Sequence, residues 1–425
     1  MIRGDRWLYG WAFGYAAVGG ASVLVPLYAI ELGAGAFVVG LVAATAAFAG
    51  VPGALLWGRL AAGTRRRRPF VLVTLGATAA TLALVPLLAS PWTVLVANAV
   101  LWFVVAAAAP VLNLIAIEGV PESRWGRRLG LLNAYQGYGW VGGLAVGTAW
   151  TAVASRLPGG DPGLRPLFPL LAGVAALGLA LVRVWYPERP TTDPARFRRA
   201  FRRMSGGPGA GRYLRSVPYG LGRVYWTVVS ARRGPGAYRS RFDRELRRYL
   251  FASTLFATGF AVFWGPMPAF LRAVPFDTGT VFGLFLVANL GSAVCYGPVG
   301  DRAGEGSADR LQRGALGARA LLFAAVPAVV ILPRRVSLWS LGVVFALVGA
   351  TWAVLAVTTP GLVGGLADPD VRAEALGVQA ALAGVGTGIG SVAGGAAAAA
   401  VGYGPTFVAA GGLVLAGGTL AFRVG

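Results

Sequence analysis

Long apolar stretches without a charge alternate with short charged or turn-rich segments along the whole chain. The stretches run 7–30, 32–58, 69–117, 129–155, 166–182, 249–271, 278–300, 320–333, 336–367 and 375–422. A helix needs about 20 mostly apolar residues to cross a hydrocarbon core of roughly 30 Å. Ser90-Pro91 divides the stretch 69–117, and Gly402-Tyr403-Gly404-Pro405 divides 375–422; both are turn signals. The stretch 320–333 is short, and we extend it back through Arg319 to about Leu316. The pattern predicts an all-α integral membrane protein with twelve transmembrane helices.

Residues 187–248 interrupt the pattern and divide the chain into two six-helix halves, 1–186 and 249–425. Within this basic linker Phe197, Phe201 and Met204 fall at i, i+4 and i+7 among Arg residues. That spacing suits an amphipathic helix lying on the inner leaflet, against anionic lipids. A solvated basic loop reads equally well.

Composition agrees with the spans. Hydrophobic residues make up 56% and charged residues 13%, against roughly 45–50% and about 25% in soluble chains. Mean hydropathy is +0.66. The 64 Gly suit close approach of helices in lipid. Basic residues number 38, all Arg, against 16 acids, for a net charge of +22. With the N-terminus inside, 31 Arg fall in cytoplasmic segments and five in outer ones. The positive-inside rule therefore places both termini in the cytoplasm and accounts for the basicity without nucleic acid. The opening Met1-Ile2-Arg3-Gly4-Asp5-Arg6 lacks a charged lead-in and a small-residue cleavage site, so no removable leader is expected. The expected location is the cell membrane, as a monomer.

The two halves echo each other. Pro110, Arg124 and Leu129-Gly130 recur as Pro360, Arg372 and Leu376-Gly377, at offsets of 250, 248 and 247. Internal repeats of this kind build secondary transporters, with the substrate near the midplane between them. Gly297-Pro298-Val299-Gly300-Asp301-Arg302-Ala303-Gly304 resembles the loop signature of the major facilitator superfamily, and the resemblance extends over the whole chain. It implies two six-helix halves joined by a long cytoplasmic linker, and a gating loop that includes Gly297, Asp301, Arg302 and Gly304. The copy between spans two and three, Gly58 to Arg68, is degenerate: Ala62 stands where the family has its acid and Gly63 where it has a basic residue. The family's Arg motif in span four and its Gly-Pro motif in span five are absent.

Catalytic chemistry finds no footing. The chain has no His, a single Cys at Cys295 and no acid inside a span, so nucleophile, metal ligand set and cofactor site are all missing. Gly386-Thr387-Gly388-Ile389-Gly390 lies inside an apolar stretch with no preceding strand and reads as helix packing, not a phosphate loop. What remains is polar and aromatic residues inside spans, which must face protein or water. Asn98, Trp102 and Asn113 share one face of span four, and Asn133, Gln136 and Trp140 one face of span five, with Tyr135 and Tyr138 beside it. Trp11 and Tyr15 in span one, Trp264 in span seven, Asn289 in span eight with Ser292 and Tyr296, and Gln379 in span eleven complete the candidate substrate cavity. Each of these residues can equally serve as interhelical glue or packing. The family resemblance implies that spans one, four, seven and ten line the cavity, with two, five, eight and eleven beside it.

An aromatic lining with no buried counter-charge favours a small neutral or weakly polar organic solute. Efflux of amphiphilic compounds and passive movement of a neutral solute both fit. A non-transporting scaffold or sensor, or a lipid-translocating protein, is the competing class. All sixteen acids fall in loops or at span ends, which leaves Glu31 and Glu118 as the candidates for ion coupling.

Overall fold

The computed structural model describes residues 5–63, 66–117, 125–154, 163–186, 242–274, 276–368 and 371–422. The segment around Phe197, most of the linker, Glu118 and Arg124 lie outside them. The described residues form helices and connections, with no strand. The first half holds α1 (Trp7–Glu31), α2 (Ala36–Phe48), α3 (Gly50–Gly63), α4 (Arg68–Leu84), α5 (Pro91–Ile117), α6 (Trp125–Ala154) and α7 (Leu167–Trp185). The second holds α8 (Arg244–Trp264), α9 (Met267–Ala273), α10 (Thr278–Arg302), α11 (Ala308–Val330), α12 (Arg334–Leu366), α13 (Arg372–Val401) and α14 (Tyr403–Phe422). The pairs α2–α3 and α8–α9 each act as one long rod, which makes twelve rods. Eleven are long and apolar enough to cross a membrane; α6, diluted by Gly, Tyr, Trp and two amides, is the exception.

The breaks fall where the turn chemistry puts them. Pro91 opens α5, and Gly402, at φ 84°, separates α13 from α14 in a conformation that disfavours side chains. Two of the shifted boundaries have a cause or consequence in the structure. The seventh span starts at Arg244 instead of 249, because Asp243 caps it, its Oδ1 accepting from Leu246 N at 2.7 Å. The ninth span starts at Ala308, so Arg319 lies at its middle and not at its end.

Packing repeats between the halves. In the first, α1 packs on α6 and α7, α3 on α5, and α4 on α7; in the second, α8 packs on α13 and α14, α10 on α12, and α11 on α14. Glycine against backbone carbonyl makes these contacts close: Gly143 lies against Ala16 O, and Gly349 against Ala288 O. The motif at 386–390 does the same, with Gly390 against Thr258 O. Small residues let helices approach where lipid offers no hydrophobic drive.

Consecutive described rods alternate in direction, so the cytoplasm-assigned Arg on described helix ends fall at one end of the bundle. We call this the basic end, and its opposite the far end. Arg128 at the start of α6 forms a two-pronged ion pair with Asp5, both contacts 2.7 Å, and its Nε donates to Ala116 O at the end of α5. This ties the starts of α1 and α6 to the end of α5.

Candidate functional site

A cavity of about 660 Å³ opens at the basic end between the halves. Its walls are α6, from Gly130 to Val141, α10, from Ala293 to Gly300, and α12, from Ala356 to Leu362. Polar groups are few: Asn133, Tyr138, Tyr296 and Thr358 stand among Gly, Ala and Val. At the far end the halves meet. A methyl placed on Gly40 of α2 would lie 2.5 Å from Ser391 O and 2.9 Å from Gly395 Cα of α13. Gly279 of α10 faces the Thr151 side chain of α6, and Gly147 of α6 faces the Phe282 ring of α10. Open below and closed above, the site is a blind vestibule.

The expected cavity residues divide into three groups. Asn133 lines the vestibule. Trp11, Tyr15, Trp140 and Trp102 instead form a chain of rings in the first half, with successive centroids 5.8, 6.1 and 6.3 Å apart. Trp264 has the same role in the second half, 5.3 Å from Phe285 and 5.6 Å from Phe345. Asn98 is buried and donates to Val42 O at 3.0 Å and Thr45 Oγ1 at 2.6 Å, which fastens α5 to α2. Asn289 turns back on Phe285 O of its own helix at 2.8 Å. Gln136 and Gln379 are buried and Asn113 half-buried, none of them on the vestibule wall.

A family model described as Major Facilitator Superfamily matches residues 8–308, well over half the chain. The chain belongs to the Major Facilitator Superfamily. Solved structures of that architecture resemble this major facilitator protein along its full length. A crystal structure of the nucleoside transporter NupG matches at a TM-score of 0.66 and 12% identity, covering 100% of both chains. A point mutant of the same transporter matches at 0.69 and 12%, covering 99% of this chain and 98% of that one. The human organic anion transporter MFSD10 (TETRAN) matches at 0.59 and 17%, covering 99% of each. No curated protein sequence matches significantly. The chain is thus a multi-pass membrane transporter by family.

The facilitator signature is mostly helical here. Gly297, Asp301 and Arg302 lie exposed in the last turns of α10, and Gly304 falls in the tight connection 303–307, where Gly306 takes φ 82°. Gly300 and Ala303 line the mouth of the vestibule. Arg128, at the start of α6, is held by Asp5 within its own half.

The expectation that no charge is buried within the spans is overturned by Arg319. It is 1% exposed. Its Nε donates to Thr351 Oγ1 at 3.1 Å and its Nη2 to Val348 O, both on α12. Its guanidinium carbon lies 4.4 Å from the Phe260 ring centroid, with Phe323 and Trp352 at 5.7 and 5.8 Å. Three aromatic faces and two neutral oxygens thus hold a charge that its neighbours in sequence do not reveal.

Proposed function

We propose that this chain is a secondary transporter that moves a small neutral or weakly polar organic solute across the cell membrane by alternating access. The observation that carries this reading is the vestibule between two repeated halves, open at the basic end and sealed at the far end by contacts between those halves. Such a seal can be exchanged for one at the opposite end by rocking one half on the other. The lining supports the solute class, since Asn133, Tyr138, Tyr296 and Thr358 offer hydrogen bonds and ring faces without a formal charge. The Arg distribution supports a cytoplasmic basic end with both termini there, and on that reading the described state faces inward. Anionic lipids meet that face, and one chain suffices to build the vestibule.

Reconstitution tests it. The full chain in liposomes should admit some members of a panel of small organic solutes faster than protein-free liposomes do. Gly361→Trp should block that entry, because Gly361 lines the vestibule and an added Cβ there meets nothing within 4 Å. Uptake no faster than in empty liposomes across the panel would count against transport and in favour of a scaffold.

A further inference from the structure

Arg319 is the central residue of α11, with eleven residues on either side. At a rise of 1.5 Å per residue it lies about 16 Å from each helix end, near the bilayer midplane. A cation there is costly unless something compensates it, and such residues mark the paths of ions and substrates. Among the described residues its surroundings supply no negative charge. Every acid on the described helices sits at a helix end or cap, and the contacts to Arg319 are one carbonyl, one hydroxyl and three rings. The Nη1 atom is buried with no hydrogen-bond partner among the described residues. Of the described Arg side chains only Arg67 and Arg319 are buried, and Arg67 stands at the mouth of α4.

The charge is held on α12, the helix that also lines the vestibule. Thr351 and Trp352, which hold the guanidinium, precede the vestibule residue Ala356 by about one turn of α12. Tyr296, on the vestibule wall, lies within electrostatic reach of Arg319. The guanidinium therefore sits about one turn of α12 beyond the vestibule wall, with one donor unspent.

We infer that Arg319 is the docking point for a single negative charge on the transported solute. The substrate class is then a largely apolar organic monoanion: a neutral body, often aromatic, in the vestibule, and one carboxylate reaching Nη1 past Tyr296. This rests on the transport reading and replaces its neutral solute with one that is neutral except for a single carboxylate. A guanidinium suits the role because its planar fork accepts a carboxylate while its faces stay stacked on the rings. The two bonds to α12 aim the fork; they leave the third donor for the ligand. One buried cation neutralises one charge, so dianions are disfavoured.

The test compares matched pairs, benzoate with benzamide and phenylacetate with phenylacetamide, on the full chain in nanodiscs of zwitterionic lipid. Affinity is read from the rise in melting temperature with ligand concentration. An acid of a pair should bind about ten- to a hundredfold tighter than its amide, as expected for a charge-assisted hydrogen bond. Arg319→Gln should erase that preference and Arg319→Lys should keep part of it. Amides that bind as tightly as acids, acids that all fail to bind, or a preference that survives Arg319→Gln would each overturn the inference. If Arg319→Gln does not fold, the acid–amide comparison on the unaltered chain decides. Uptake into liposomes separates the two readings: entry of amides with no preference for acids removes the anion site and leaves transport standing, whereas acid-selective binding without any uptake keeps the site and removes transport.

Discussion

Gly40→Ala is expected to push the protein towards the state open at the far end. The new methyl would lie 2.5 Å from Ser391 O, 2.9 Å from Gly395 Cα and 3.2 Å from Gly395 N. Ordinary contact begins near 3.4 Å, so α2 and α13 must part by about 1 Å. The strain is reciprocal in kind, since a methyl on Gly395 would meet Ala36 O at 2.7 Å. Overpacking of this order costs about 1–3 kcal/mol. Because α2 and α13 belong to different halves, that cost falls only on the state with the far end sealed. At about 1.4 kcal/mol per tenfold, the equilibrium should move about 5- to 150-fold. Gly143→Ala is the control: its methyl would strike Ala16 O and lie 2.6 Å from Gly20 N, but α1 and α6 share a half and stay together in both states. It should lower the melting temperature and leave the equilibrium alone. Tyr138→Cys, on the vestibule wall, reports the opening in a Cys295→Ala background. Its labelling by an impermeant maleimide from the basic side should slow in Gly40→Ala, by at most the factor through which the equilibrium moves. Unchanged labelling, with a loss of stability like that of Gly143→Ala, would refute the assignment of this contact to a gate.

The remaining predictions concern charges. Asp5→Asn should lower stability by about 1.5–3 kcal/mol, because it leaves Arg128, 23% exposed, without its carboxylate; adding Arg128→Gln should cost little more, and an additive double-mutant cycle would argue against the pair. Cysteines at Leu332 and Arg310 should label from outside and from inside respectively, and the reverse pattern would invert the topology. Asp301→Asn should favour the inward-facing state by removing an acid that closure of the basic end would bring against the start of α6, while Ala62→Asn should be nearly silent; equal shifts in an inter-half distance measurement would remove that asymmetry. Once a solute is known, an imposed pH gradient should not drive its uphill accumulation in a Glu31→Gln, Glu118→Gln double variant, and accumulation there would refute the coupling argument.

The rods were legible in the sequence because apolar run length is nearly all that membrane insertion reads, and Pro91 and Gly402 punctuate the two double runs. The course of α11 was not. Arg319 ends an apolar run on paper, yet Phe260 and Trp352, on other helices, make its burial tolerable. Site residues suffered from a related ambiguity. A mid-span amide announces only that it avoids lipid, and the pattern does not separate Asn98, bonded across to α2, from Asn133, on the vestibule wall. Much of that wall is Gly and Ala, which carry no chemical signal, so its course along α12 at Ala356, Thr358 and Gly361 had none to follow.

One buried cation at mid-span, and no acid at mid-span among the described residues, constrain how any transport here is driven. A proton relay needs a group that exchanges its proton during the cycle, and a guanidinium keeps its proton near neutral pH. Arg319 can therefore compensate a solute's charge but cannot carry a proton for it. If the solute is a monoanion, Arg319 and its cargo form a neutral pair, and the return step exposes the bare cation. Reorientation of the empty protein then moves the uncompensated charge through whatever part of the field it crosses, at about 2.3 kcal/mol per 100 mV for a full crossing. Membrane voltage, acting on the empty carrier, becomes the force that sets direction, and it needs no titratable acid at the midplane.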